Sequence, residues 1–300
     1  MFDQKFHQQV DLVLTILGYM DWDECYAMKG GTALNFFYEQ MPRLSIDIDL
    51  VYLPVNSREE AIKEMNVSFQ KYISMFKKRG FAAQIIGVKS NNPLGRLYVS
   101  NGVASIKIEP NLVIRGALLP PKLKSLSSAV KKTFSQDLKV RCLDYNEIMA
   151  GKLAAMLDRQ HPRDIFDLLH YYKHHRSLKD FMDCFVVYLL QSSRPFSELL
   201  KPRLLDIKEI FKTNFEGMAN YPVDLKDLLS CRDKVIKNVQ DSLGERRLEF
   251  LISVMEEKPK WDLIPFDNLD KLPGIKWKLQ NIHSMAKSKR EAEIKKLRKG

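Results

Sequence analysis

The segment Arg43-Leu44-Ser45-Ile46-Asp47-Ile48-Asp49-Leu50 decides how this chain of 300 residues is interpreted. Its apolar and polar residues alternate with the period of a half-buried β-strand, although aspartate is rare in strands. Residues two apart on a strand point to the same face, with Cα atoms roughly 6.5 Å apart. Asp47 and Asp49 therefore present two carboxylates to one side, where they repel unless a cation lies between them. This spacing suits Mg²⁺ held between carboxylates and substrate phosphates.

A glycine pair lies about one helix length upstream, in Lys29-Gly30-Gly31-Thr32. The glycines favour a tight turn from a short strand into a helix. Thr32 is placed to cap that helix, whose N-terminal N–H groups would face a phosphate. Because glycine pairs also mark ordinary turns, this element does not identify a site by itself.

A third carboxylate follows in the predicted strand Ser105-Ile106-Lys107-Ile108-Glu109, which ends at Pro110. Glu109 lies on the polar face of that strand. The proline keeps Glu109 extended. A surface pair between Lys107 and Glu109 is the alternative interpretation of the same alternation.

Composition limits the class of protein. The apolar share of 45% and the charged share of 28% are those of a soluble globular protein. No apolar run is long enough to span a membrane, and the N-terminus lacks the features of a signal peptide. The four cysteines are scattered, without zinc-site spacing, as expected of reduced thiols. We therefore expect a cytoplasmic protein with no membrane partner.

The net charge of +11 is concentrated in two stretches. Residues 115–141 hold seven Lys and Arg against one acid, a local charge of +6. Residues 286–300 hold seven against two, a local charge of +5. Such clusters can neutralise nucleic-acid phosphates, although the second also fits a solvated helix tail. Together they favour a polyanionic partner.

Hydrophobic periodicity predicts an α+β fold. Strands are predicted at 25–28, 46–53, 81–88, 96–100, 103–109 and 138–143, with helices at 4–19, 32–40 and 57–78. Ser57 with Glu60 predicts a capping box for the last of these helices, and Asn101-Gly102 predicts a hairpin between two strands. After Asp144 the pattern is helical. A first helix is predicted from Asp144 and Glu147 through Leu157, and further helices at 163–175, 178–191, 223–240, 243–257 and 275–297. We expect a mixed-sheet domain over residues 1–143, followed over residues 144–300 by a mainly helical domain whose last helix carries the basic tail.

The order of these motifs resembles the nucleotidyltransferase superfamily with a polymerase-β-like core. It is most similar to the AbiEii/AbiGii-type toxins of bacterial toxin–antitoxin and abortive-infection pairs. The matching stretches are Lys29–Leu34, Arg43–Leu50 and Lys152–Leu168, the last containing Arg159 and Arg163-Asp164-Ile165-Phe166-Asp167. The resemblance implies that residues 1–143 form a nucleotidyltransferase domain.

The resemblance also implies roles for single residues. Asp47 and Asp49 would hold Mg²⁺ against a nucleoside triphosphate (NTP), with Glu109 as third ligand or as base for the incoming hydroxyl. The phosphates would be bound by Gly30, Gly31 and Thr32. Lys152 would neutralise triphosphate charge, and Asp164 would orient Lys152 or accept a proton. Arg43 would contact the acids or the triphosphate.

Without the resemblance, Lys152 reads as a solvated lysine on an amphipathic helix and Asp164 as an ordinary acid in a first helical turn. His161, His170, His174 and His175 read as surface histidines, since no acid of a zinc pattern accompanies them.

The leading hypothesis is a Mg²⁺-dependent nucleotidyltransferase toxin, neutralised by a cognate antitoxin protein. It would transfer nucleotides from NTP to an RNA acceptor, with the 3′ end of tRNA as the expected target. A small-molecule nucleotidyltransferase is one alternative. A catalytically silent nucleotide- or RNA-binding protein on the same fold is the other.

Overall fold

The computed structural model describes residues 4–22, 25–90, 92–175 and 177–299. By its internal contacts the chain divides into two units. The first contains the described residues up to Tyr145 together with Gly217–Pro222. The second contains Asn146–Glu216 and the described residues from Val223 onward.

A mixed β-sheet forms the centre of the first unit, which confirms the α+β prediction. Among the described residues its seven strands are β1 (Tyr26–Lys29), β2 (Asp47–Tyr52), β3 (Ala82–Ile86), β4 (Arg96–Ser100), β5 (Ser105–Pro110), β6 (Lys122–Ser125) and β7 (Lys139–Cys142). Their spatial order is β3-β4-β5-β2-β1-β7-β6. β2 runs parallel to β5 and β1 parallel to β7, whereas the other neighbouring pairs are antiparallel.

Helices accompany this sheet. They are α1 (Gln4–Tyr19), α2 (Gly30–Ala33) with its π-helical continuation Leu34–Tyr38, α3 (Arg58–Lys78) and α4 (Ser128–Phe134). Ser57 and Glu60 form the predicted capping box at the start of α3: the Glu60 N–H donates to the serine hydroxyl, and the Ser57 N–H donates to the glutamate.

The central strand β2 follows its alternation. Ile48 and Leu50 are fully buried, as is Ile108 on the neighbouring β5. Each such side chain contributes roughly 1.5–3 kcal/mol by leaving water. The aspartates point to the other, half-buried side. The hydrophobic face of β2 therefore fixes where its acids point.

The predicted hairpin at Asn101-Gly102 is confirmed. Ser100 pairs with Ser105 across β4 and β5, and Gly102 has a φ of +88°. The Asn101 side chain accepts hydrogen bonds from the N–H groups of Val103 and Ala104, which completes the turn.

Two elements of the first unit have no counterpart in the predictions. β6 is a short, mostly exposed strand, so it shows no alternation of apolar residues. α4 has seven residues and is anchored by the buried Val130 and Phe134 alone. Both are too short or too polar to give a periodic signal.

The second unit is helical, as predicted. Its helices are α5 (Tyr145–Arg159, whose first residue belongs to the first unit), α6 (Pro162–His174), α7 (Met182–Leu190), α8 (Phe196–Leu200), α9 (Lys208–Asn214), α10 (Leu225–Met255), α11 (Pro273–His283) and α12 (Lys287–Arg298). Helix α10 is interrupted at Gly244, where φ is +68°, so the two helices predicted there form one kinked element. The prediction of a single helix over 275–297 is wrong, because the helix is interrupted between α11 and α12.

The segment Gly217–Pro222 belongs to the first unit, although the residues on either side of it belong to the second. The Leu44 N–H donates to the carbonyl of Met218, and the Asn220 N–H donates to the carbonyl of Pro42. This segment therefore braces the loop that leads into β2, an arrangement that the sequence pattern did not reveal.

Among the described helices, none combines the length and the apolar character needed to cross a membrane.

Candidate active site

The acidic face of β2 is built by the register of three neighbouring strands. Asp49 lies opposite Lys29 of β1 on one side and Glu109 of β5 on the other. Asp47 lies opposite Lys107 of β5. Two rows of acidic and basic side chains therefore share one face of the sheet at its centre.

The glycine pair is required by close contacts with this face. Gly30 has a φ of +73°, and a Cβ added there would lie 2.5 Å from Oδ2 of Asp49. A Cβ added to Gly31 would lie 2.8 Å from both Nη2 of Arg43 and Oγ of Ser45. The turn from β1 into α2 thus brings its backbone against the Asp49 carboxylate, where side chains would not fit.

Gly30→Ala tests this contact. We expect it to destabilise the protein by about 3 kcal/mol and to reduce activity, because the methyl group adds overpacking against Asp49 to the cost of a positive φ. Gly80→Ala is the matched control: Gly80 has a φ of +85° and no neighbour within 4 Å of an added Cβ. It should cost about 1 kcal/mol, measured by chemical unfolding. Equal losses for the two variants would contradict the contact.

Thr32 and Arg43 are both buried and contact the segment that leads into β2. The Thr32 hydroxyl is buried and hydrogen-bonds with Oγ of Ser45 at 3.0 Å and with the Asp47 carbonyl. Lys29, not Thr32, occupies the N-cap position of α2, so the predicted capping role of Thr32 is wrong. The Arg43 side chain is also buried, and its Nη1 donates to the Leu44 carbonyl at 2.9 Å.

Glu109 is held by two cations. Arg96 donates from Nε at 2.8 Å, and Lys107 donates from Nζ at 3.2 Å. Burial raises the pKa of Glu109, but the hydrogen bonds and charges of Arg96 and Lys107 outweigh burial and lower it. Lys107 also lies 3.9 Å from Oδ1 of Asp47.

The predicted grouping of three acids around one metal is not present in this geometry. Across the described residues, no three His, Cys, Asp or Glu side chains are arranged to hold a metal ion. Asp47 and Asp49 remain as a pair of hard oxygen donors on one face. Mg²⁺ is commonly bound by one or two carboxylates plus substrate phosphates, so this pair fits the ion without Glu109.

Lys152 and Asp164 belong to the second unit, where they form a cluster of their own. Nζ of Lys152, on α5, lies 3.0 Å from Oδ1 of Asp164 and 2.8 Å from Oδ2 of Asp167, both on α6. Arg159 approaches Asp164 from the exposed side, at 2.7 Å. All three members of the Lys152–Asp164–Asp167 cluster are buried.

The two cations keep Asp164 ionised. Burial alone would raise the pKa of Asp164, but the charges and hydrogen bonds of Lys152 and Arg159 hold the pKa well below its usual range. Asp164 is therefore a poor proton acceptor in this state and is well placed to orient the Lys152 ammonium group.

Sequence reasoning assigned no role to Arg96, Ser45 or Asp167, although each contacts a predicted site residue. Asp167 follows Asp164 by three residues, a spacing that places both on one face of α6 and could have identified it. Arg96 gave no comparable signal, because its contact with Glu109 depends on the register of β4 against β5.

Comparison with known proteins identifies the family. A family model described as the nucleotidyl transferase AbiEii toxin of a type IV toxin–antitoxin system matches residues 13–264. The chain belongs to the AbiEii nucleotidyltransferase toxin family. The predicted resemblance and the assignment as an enzyme are thereby confirmed. Membership implies a nucleotide substrate and an antitoxin partner.

A solved structure supports the fold. The AbiEii-family chain is similar to MenT4, a nucleotidyltransferase toxin from Mycobacterium tuberculosis H37Rv, with a TM-score of 0.61 and 17% sequence identity. The match covers 83% of this chain and 89% of that one. At this identity the likeness shows the fold alone. No curated protein gave a significant match.

Proposed function

We propose that this AbiEii-family toxin is a Mg²⁺-dependent enzyme that transfers a nucleotide from an NTP to an RNA acceptor. The arrangement that supports this most directly is the Asp47–Asp49 pair, set on one sheet face against the glycine turn at Gly30. Backbone without side chains beside two carboxylates suits a metal-bound triphosphate, because phosphate oxygens then approach both the ion and the turn.

Asp47 and Asp49 would hold the ion. When bound, Mg²⁺ activates the attacking hydroxyl and stabilises the pyrophosphate leaving group. Gly30 and Gly31 would bind the triphosphate through their backbone N–H groups, and their lack of a Cβ lets the turn pack against Asp49 and Arg43. Thr32 and Arg43 fix the loops on either side, so their contribution is to keep the glycine turn and β2 in register.

Glu109 suits a charge-balancing role better than that of a general base. Its lowered pKa makes it a weak proton acceptor at neutral pH. Its contacts with Arg96 and Lys107 hold two cations beside the acidic face, where they are placed to compensate triphosphate charge.

The Lys152–Asp164–Asp167 cluster is proposed as a second functional element. Its two carboxylates are balanced by Lys152 together with Arg159, so Asp164 orients Lys152 and does not take up a proton. We also propose that the chain consists of two domains, residues 1–143 and residues 144–300.

RNA is the proposed acceptor because of the basic stretches, with the 3′ end of tRNA as the target. A protein of this charge attracts polyanions over long distances. Such an enzyme would find both RNA and NTP in the cytoplasm, where we propose that it acts until its antitoxin neutralises it.

Incubation of the purified protein with each α-³²P-labelled NTP, total cellular RNA and Mg²⁺ tests this function. We expect label in the RNA fraction, concentrated in the tRNA band, with one NTP preferred. The label should stay at background when EDTA removes the ion. Ribonuclease treatment should release it, and 3′-oxidised RNA should not accept it.

Three outcomes would overturn the proposal. Label in a small-molecule fraction would indicate a small-molecule nucleotidyltransferase. Labelling that is equal with and without EDTA would remove the role of the metal. NTP binding without any transfer to RNA would indicate a silent nucleotide-binding protein.

A further inference from the structure

The C-terminal helices lie beyond the part of the chain that defines the family. The family model ends at residue 264, whereas α11 and α12 span Pro273–His283 and Lys287–Arg298. These helices are therefore a feature of this chain that membership in the AbiEii family does not explain.

Helix α12 is fixed to the second unit by specific contacts. The buried carboxylate of Glu293 accepts hydrogen bonds from the N–H of Ser197 at 2.8 Å and from its hydroxyl at 2.7 Å. Nη2 of Arg290 lies 2.6 Å from Oε2 of Glu257, and Leu297 is buried. Residues 290, 293, 294 and 297 thus form one docked face of the helix, and the opposite face is exposed.

Exposed lysines dominate the rest of the helix surface. They are Lys289, Lys295 and Lys296 on the helix and Lys299 at its C-cap. In the described part of the chain none of these four forms an ion pair, whereas Arg290 and Arg298 pair with Glu257 and Glu256. At 100° per residue the four lysines cover roughly a third of the helix circumference, over a length of about 15 Å.

The other basic stretch offers less free charge. Arg115 is buried and donates to the carbonyls of Asn56 and Ser57. Lys122 pairs with Asp144 at 3.0 Å, and Lys131 with Asp137 at 2.6 Å. Of the seven cations of residues 115–141, two are therefore held in ion pairs and a third is buried.

We propose that these four exposed lysines of α12 and its C-cap, named here the α12 lysine face, bind the phosphate backbone of the RNA acceptor. This inference rests on the proposed RNA substrate. A docked helix with unpaired lysines on one side presents cations at fixed positions to a polyanion, and such contacts position RNA without reading its sequence. The α12 lysine face would hold the acceptor and leave the chemistry to the acidic face of β2.

Fluorescence anisotropy of a labelled tRNA transcript across a salt series tests the proposal. Changing all four lysines to glutamine should weaken binding about 100-fold near physiological salt and lower the slope of log K against log salt by about 3. The control changes the four exposed lysines of α3, which are Lys63, Lys77, Lys78 and Lys71, the last of them paired with Asp21 at 2.9 Å. This control removes the same charge and should change affinity far less.

The outcomes separate this proposal from the proposed function. Asp49→Asn should bind the transcript like wild type while failing to transfer, and the α12 variant should transfer only at raised RNA concentration. Equal losses of affinity in the α3 and α12 variants would overturn the α12 proposal. Binding to phosphatidylserine vesicles is measured for the same proteins. An α12 variant that keeps its affinity for RNA but loses its binding to the vesicles would also overturn the α12 proposal. If wild type labels RNA but the α12 variant behaves identically, the α12 proposal alone fails. If wild type binds the transcript but labels no RNA, the proposed function fails.

Discussion

Asp49→Asn is expected to reduce nucleotide transfer by about 10³-fold, equivalent to ~4 kcal/mol of transition-state stabilisation. Asparagine keeps the size of the side chain, so the contact with Gly30 is preserved while one of the two negative charges is lost. An amide oxygen is a weaker ligand for Mg²⁺ than a carboxylate, and the remaining Asp47 would bind the ion poorly by itself. Steady-state transfer at saturating NTP and a Mg²⁺ titration measure this effect.

Stability should hardly change in the same variant. Removing one of two like charges on a strand face relieves repulsion, so the free energy of unfolding should stay within about 1 kcal/mol of wild type. Asp137→Asn, which removes the same charge from an exposed site, is the control and should retain full activity. If Asp49→Asn transfers at more than about a tenth of the wild-type rate, a loss under 1.4 kcal/mol, the acidic face of β2 is not the metal site.

The acidic strand was predictable because its signal is local. Six residues of period two, with fully buried Ile48 and Leu50, determine which way Asp47 and Asp49 point. The hairpin at Asn101-Gly102 and the capping box at Ser57 are local in the same sense, since each depends on residues within four positions of one another.

The partners of Glu109 were less accessible to sequence reasoning. Lys107 is two positions away on the same strand, so its contact was recognised as an alternative. Arg96 reaches Glu109 only because β4 pairs with β5 in a particular register. The alignment of Asp49 with Glu109 joins strands about sixty residues apart, and no local pattern specifies such a register.

Breaks between helices were equally hard to place. Residues 284–286 contain no glycine or proline, so the helical sequence pattern continues from α11 into α12. The helical backbone, however, stops at His283 and resumes at Lys287. The return of Gly217–Pro222 to the first unit depends on backbone hydrogen bonds to the Arg43 loop and on one from the Asn220 side chain to the Met41 carbonyl, and no periodic pattern specifies either.

Lys152→Met is expected to destabilise the second unit by about 3–5 kcal/mol at pH 7, because it leaves two buried aspartates without their shared cation. Methionine fills a similar volume, so the effect isolates the charge. Chemical unfolding followed by far-UV circular dichroism measures it. Arg159→Gln is the control: the Arg159 side chain is 59% exposed, so its ion pair is screened and should contribute less than about 1 kcal/mol.

The triple variant Lys152→Met, Asp164→Asn, Asp167→Asn tests the charge directly. It should regain part of the lost stability, because neutral amides are cheaper to bury than unpaired carboxylates. A Lys152→Met variant as stable as wild type, or a triple variant less stable than Lys152→Met, would contradict the interpretation of the cluster as a buried charge balance.

The dependence of the free energy of unfolding on pH tests the same cluster independently. In wild type the pKa of Asp164 is lowered, so its stabilising contribution is fully present above the unfolded value of about 3.9 and is lost only as the pH falls further, through the folded pKa. Stability should therefore be flat between pH 7 and 5 as far as this cluster is concerned. In Lys152→Met, burial without the lysine raises the pKa of the aspartates in the folded state. On acidification the folded state then binds protons before the unfolded state does, so stability should increase as the pH falls from 7 to 5. A variant that loses stability on acidification from pH 7 to 5 would show that Lys152 does not compensate the buried carboxylates.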